Sequence, residues 1–172
     1  MRLLSLNARQ SLDSGSSENV ETVLVMITHP DLDVPVRIST DSTERISADP
    51  LTYGTRSTWQ TADGSPFYFC MIDALLPDDK DKGTPQARLV FSAIDNDFAA
   101  ALRGTLTPAT VDLAVVWSNS PDLVEQEYRG FLLVSASGDA SAVTLTVTLE
   151  PITNEPWPAG RMTQGQFPGQ WT

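Results

Sequence analysis

The chain has 172 residues, a formal charge of -11, 41% hydrophobic residues and 19% charged residues. That length suits one domain with a real core. The acidity argues against binding phosphate backbones, and no apolar run approaches the length of a membrane span, so neither nucleic-acid binding nor membrane insertion is expected. The single cysteine, Cys70, excludes an internal disulfide.

The elements follow in chain order. Leu4, Ala8 and Leu12 recur every four residues and predict a short N-terminal helix, too short to stand without a surface beneath it. The same stretch, MRLLSLNARQSL, is interrupted by Ser5 and Asn7 and lacks the continuous apolar region of a secretory signal, so a cytosolic protein or assembly is expected. After the DSGSS breaker, Val20 to His29 is rich in β-branched residues and apolar on both faces, as in a central strand. PDLDVP turns the chain into Val36–Ser39, which predicts a hairpin. Residues 40–65 are polar, with Tyr53 and Trp59 as isolated aromatics, and read as a long loop or a pair of weak edge strands.

Pro66 to Leu76 is a strongly apolar strand, followed by an acidic loop from Pro77 to Pro85 and a further strand, ARLVFSAID. Asn96 or Asp97 caps a second short helix ending at Gly104. Val111–Trp117, Tyr128–Ala136 and Ala142–Glu150 are three more strands. In the last, Val143, Leu145, Val147 and Leu149 alternate with Thr144, Thr146, Thr148 and Glu150, as in an antiparallel sheet with one solvated face. Short strands without a βαβ rhythm predict a mainly β fold, an antiparallel β-sandwich or small split barrel with one or two short helices.

Residues 151–172, PITNEPWPAGRMTQGQFPGQWT, are different. They hold four of the twelve prolines and three of the ten glycines, together with Trp157, Phe167 and Trp171. Unstructured tails are poor in aromatics, because they have nowhere to bury them. A segment that breaks helix and strand yet carries three large anchors reads as an extended docking arm. The chain therefore divides into a β-rich domain, 1–150, and a C-terminal arm, 151–172. The predicted interface residues are Leu4, Trp157, Phe167 and Trp171, with the aromatics as hot spots.

No catalytic constellation is expected. His29 is the only histidine and precedes Pro30 in a turn, with Asp31 and Asp33 nearby. One histidine and one cysteine cannot build a zinc site. Asp78, Asp79 and Asp81 lack the spacing of a calcium loop. Asp31 with Asp33, or Asp95 with Asp97, offers a carboxylate pair of the glycosidase kind, but turn and cap roles explain them as well. The expectation is a chain that is not an enzyme and carries no cofactor. Tyr53 and Trp59 are the candidates for stacking a sugar, against a plain role as loop anchors.

The order of segments carries a resemblance. THPDLDVPVRIS, then ARLVFSAIDNDFAAALRG, then EPITNEPWPAGRMTQGQFPGQW resemble a family of minor tail proteins of long-tailed, siphovirus-like bacteriophages. The likeness covers most of the chain and is weakest over residues 40–65. It implies a structural component of the distal tail or tail-tip baseplate, built on a β-rich domain. Such a subunit would form a hexameric or trimeric ring with itself. The tail tube and tape-measure proteins would lie above it and baseplate hub proteins below. It would assemble in the host cytoplasm and end in the virion. The alternative is a baseplate-associated module that binds a host glycan or receptor.

Overall fold

A computed structural model describes residues 5–14, 19–61, 64–77, 85–92, 107–138 and 142–149. The fold is mainly β with one short helix among these residues, α1 (Leu6–Asp13). Ser5 caps that helix by accepting the Ala8 N–H on its hydroxyl, and Ser5 is in turn held by the Glu125 carboxylate. Only Ala8 of the expected stripe is buried here. Leu12 and Leu6 are exposed, and Leu4 lies outside the described residues. With a cap at Ser5 and eight residues, the helix presents its smallest apolar side chain to the domain.

Among the described residues ten strands form one sheet: β1 (Glu21–Thr28), β2 (Val36–Ser39), β3 (Glu44–Ala48), β4 (Leu51–Thr55), β5 (Phe67–Phe69), β6 (Met71–Leu75), β7 (Gln86–Ser92), β8 (Thr110–Trp117), β9 (Ser120–Gly138) and β10 (Ala142–Thr148). Their order across the sheet is β3-β4-β5-β2-β1-β8-β9-β10-β7-β6. The strands thus make a single sheet rather than the two separate sheets of a sandwich. All pairings are antiparallel except β2 with β5, which run parallel through Ile38↔Tyr68 and Ser39↔Phe69. The β3–β4 hairpin fills the crossover that a parallel pair requires. Residues 40–65 therefore hold an edge-strand pair, one of the two readings of that region. The predicted strand 128–136 is the second half of the longer β9. The predicted helix ending at Gly104 lies outside the described residues.

Phe67 to Leu75 shapes the sheet. Its first part, β5, pairs with β2 inside the strand order, and its second part, β6, pairs with β7 at the far end. Between them the Cys70 N–H donates to the Ser39 carbonyl at 3.0 Å. One continuous run of chain so brings the β7 side of the sheet back toward β2. The core confirms the curl: Val25 and Ile27 of β1 and Ile38 of β2 share one buried cluster with Leu89 and Phe91 of β7 and Leu145 and Val147 of β10. Burial of this apolar surface is the main favourable term in the fold.

The opposite face of β1 and β8 carries a second, smaller cluster of Leu24, Met26, Ala114, Val116, Phe67 and Trp59. Gly54 lets β4 approach β5 there, because a Cβ at position 54 would run into the Phe67 backbone carbonyl. Gly54→Ala is expected to destabilise the protein by about 1–3 kcal/mol through forced displacement of two paired strands. Urea titration checks this, and an unchanged midpoint would contradict the packing.

Candidate functional site

The residues from Arg56 to Thr61 lie across the β1–β8 face and are fastened to it at several points. Thr58 donates through both its backbone N–H and its hydroxyl to Asp122, at 2.7 and 2.9 Å. The Ser57 hydroxyl donates to the Pro121 carbonyl at 2.7 Å. Gln60 donates to one oxygen of Asp112 at 2.9 Å, while the other oxygen accepts the Gly130 N–H at 2.7 Å. Gly130 stands where β9 bulges opposite β8, at a φ of 72°, a backbone conformation that glycine adopts without a Cβ clash. Asp112 therefore closes the bulge and holds the loop at once.

Trp59 is the centre of this loop. It is buried, stacks on Phe67 with ring centroids 5.9 Å apart, and donates its indole N–H to Glu127 at 2.6 Å. Its ring is thus committed to the second core cluster and offers no face to a sugar; Trp59 is a loop anchor. Glu127 is the polar end of that anchor. Partial burial alone would raise its carboxyl, but hydrogen bonds from Trp59 and Arg129, with the Arg129 charge, outweigh burial and hold it below its ordinary range. A lowered folded value means the contribution is fully present above the ordinary glutamate range and fades as pH falls through the lowered value. Glu127→Gln should therefore flatten the acid limb of a pH–stability curve. Thermal melts of both proteins from neutral to acid pH check this, and parallel curves would remove Glu127 from the anchor.

His29 is a buried structural residue. Its Nδ1 accepts the Asp31 N–H at 3.0 Å, and its Nε2 faces the Thr107 carbonyl and hydroxyl at 3.1 and 2.7 Å. Both ring nitrogens are occupied in fixing the turn after β1, so the ring is not free to serve a nucleophile. Asp31 and Asp33 are exposed turn residues. Asp78, Asp79, Asp81, Asp95 and Asp97 lie outside the described residues. Among the described residues no group of three or more His, Cys, Asp or Glu is placed to hold a metal ion. Burial pushes the Cys70 thiol above its ordinary value, which lowers its thiolate fraction and its reactivity.

The feature with functional content is an apolar strip on the outside of the sheet. Along β5 and β6 the side chains alternate. Cys70, Ile72 and Ala74 pack on the main core, while Phe69, Met71 and Leu75 point away from it at 39%, 64% and 70% exposure, with the exposed Asp73 on the same face between Met71 and Leu75. The β4–β5 register, Gly54↔Tyr68 and Thr55↔Phe67, sets Tyr53 across from Phe69, and Tyr53 is also exposed. The strip runs from the β3–β4 hairpin to the end of β6, bordered by Arg88, Val90 and Ser92 of β7. Isolated exposed apolar residues are ordinary, but four large ones grouped on one face of β4, β5 and β6, with Asp73 as the one charge among them, are the pattern of an interaction surface.

The predicted interface residues Leu4, Trp157, Phe167 and Trp171 lie outside the described residues. The strip was missed in the sequence because PFYFCMIDALL is apolar on both faces except at Asp73, and such a run reads as a strand covered on both sides. Its signal was the density of large apolar residues on a strand that borders acidic loop sequence.

The profile of a family described as a domain of unknown function, DUF1833, matches residues 7–162. A comparison with curated proteins finds no match.

Proposed function

The chain belongs to the DUF1833 family, and we propose that it is a structural subunit of a bacteriophage tail tip or baseplate, forming part of a symmetric ring below the tail tube. The matched span runs from α1 into the C-terminal arm, so the arm's first part belongs with the family's domain. The observation that carries the reading is the exposed strip of Tyr53, Phe69, Met71 and Leu75 on an acidic chain. A ring of identical subunits needs two different patches that fit each other, one on each side of the contact. The strip supplies one apolar patch, and the arm with Trp157, Phe167 and Trp171 supplies another. The N-terminal helix, with Leu6 and Leu12 exposed and Leu4 just before it, adds a smaller apolar surface. Proline in the arm limits the entropy lost when it docks.

In this reading the protein works by packing. It carries no cofactor and performs no catalysis. It meets tail tube and tape-measure proteins on one side and hub proteins on the other, and it resides in the virion after assembly in the host cytoplasm. The glycan-binding alternative rests on Tyr53 alone of its two aromatics, since Trp59 is buried.

Cryo-electron microscopy of intact tails, or of the extract that contains the protein, tests this. Density for the chain in a symmetric ring at the distal end of a tail tube is expected. The chain found only as a free monomer in a tail-containing extract would overturn the ring.

A further inference from the structure

We infer that the strip of Phe69, Met71 and Leu75, with Tyr53 beside it, is the acceptor for the C-terminal segment, residues 150–172, of an adjacent copy of this chain. The inference rests on the ring reading and adds to it the surface on which the arm lands.

Three observations support that occupant. The first is position. β10 makes its last pairing at Thr148 with Gln86 of β7, and the Leu149 N–H donates to the Pro85 carbonyl. β7 also pairs with β6, where Leu75 faces Arg88 two positions further on. Leu149, after the end of β10, is thus separated from the end of the strip by one strand, β7. Residues 150–172, fully extended, reach on the order of 75 Å, which is far more than the crossing to a touching neighbour.

The second is spacing. Phe167 and Trp171 are four positions apart, as are Met71 and Leu75. In extended chain four positions span about 13 Å and return to the same face, so both anchors can meet both strip residues in one pass. The third is chemistry. The strip is apolar apart from Asp73 and offers Met71, a flexible side chain that moulds to aromatic rings. Residues 150–172 carry Trp157, Phe167 and Trp171 among four prolines and three glycines, a composition unfavourable to helix and central strand. A strip on one copy and an arm from the next make a heterologous contact, which repeats around a ring without using either surface twice.

The test places a photoreactive p-benzoylphenylalanine at position 71 of the full chain. Light-isotope and heavy-isotope preparations are mixed at high concentration, irradiated and digested for mass spectrometry. Cross-links from position 71 into 150–172 are expected, with mixed-label pairs as frequent as same-label pairs. Cross-links into 150–172 that are always same-label would overturn the inference, because the arm would then belong to its own fold. Cross-links elsewhere, or none, would overturn the strip as acceptor. Sedimentation of the unmodified chain and imaging of tails report the ring separately, so a ring without these cross-links removes only the acceptor. A double variant, M71E with L75E, supplies a second readout. Both positions are exposed, so the melting midpoint should stay while self-association is lost. Association that persists undiminished would also overturn the acceptor.

Discussion

Trp59→Ala is expected to destabilise the domain by about 3–5 kcal/mol, the range for removing a large buried aromatic. The substitution removes the stack on Phe67 and the cover over Leu24, Met26, Ala114 and Val116, and it leaves Glu127 without the indole N–H. Loss of the ring opens a cavity that the sheet cannot refill, because its neighbours are fixed by strand pairing. The loop from Arg56 to Thr61 would keep its contacts to Asp122 and Asp112, so the loss should fall on global stability. Guanidinium unfolding followed by circular dichroism measures it. A variant of unchanged stability would mean that Trp59 is a surface residue, and would restore it to the sugar-stacking role.

Phe91→Ala should cost a similar amount, about 3–5 kcal/mol. Phe91 is fully buried on the inner face of β7, opposite Ile72 of β6 and Val143 of β10. It shares its cluster with Val25, Ile27 and Ile38 from the other side of the sheet. The size of the loss reports on the curl. If β7 lay in a flat sheet far from β1 and β2, Phe91 would be half-covered and its truncation would cost roughly 1 kcal/mol, as for ordinary point substitutions. Leu75→Ala, on the exposed face of the adjacent strand, is the matched control and should change the denaturation midpoint little. Equal losses at the two positions would contradict the inward and outward assignment on which the strip depends.

Much of the strand inventory was legible in the sequence, and the reasons are local. β-branched runs at Glu21–Thr28, Val36–Ser39 and Thr110–Trp117 favour extended backbone whatever surrounds them. Alternation from Val143 to Thr148 announced a strand with one buried and one solvated side, and Leu145 and Val147 are buried there. The polar stretch at 40–65 left the β3–β4 hairpin as one of two readings, because edge strands carry few of the apolar residues that reveal a core strand. The first half of β9, SPDLVEQE, was hidden for the same reason: acidic residues and a proline outweigh its apolar ones. The helix stripe was legible as helix, yet its burial was not, since Leu12 faces solvent and Ala8 is the buried contact.

Of the residues with functional interest, those of the arm stood out by composition alone. Trp59 stood out too, but whether an isolated aromatic lies in or out depends on partners distant in sequence. Glu127, Asp112 and Asp122, which fix the loop, are separated from it by more than fifty residues, and no local pattern pairs them.

The sequence by itself determined the mainly β class, the positions of the core strands, the acidity and the aromatic C-terminal segment. These follow from backbone preference, side-chain period and charge, which each residue carries wherever it sits. Only the tertiary structure decided that the strands join in one sheet, that Phe67 to Leu75 serves it twice, and that Phe69, Met71 and Leu75 face outward. In a run apolar on both faces but for Asp73, backbone preference and side-chain period do not decide which face the core takes. That choice is made by register with β2 and β7, strands far away along the chain, and it leaves the other face bare.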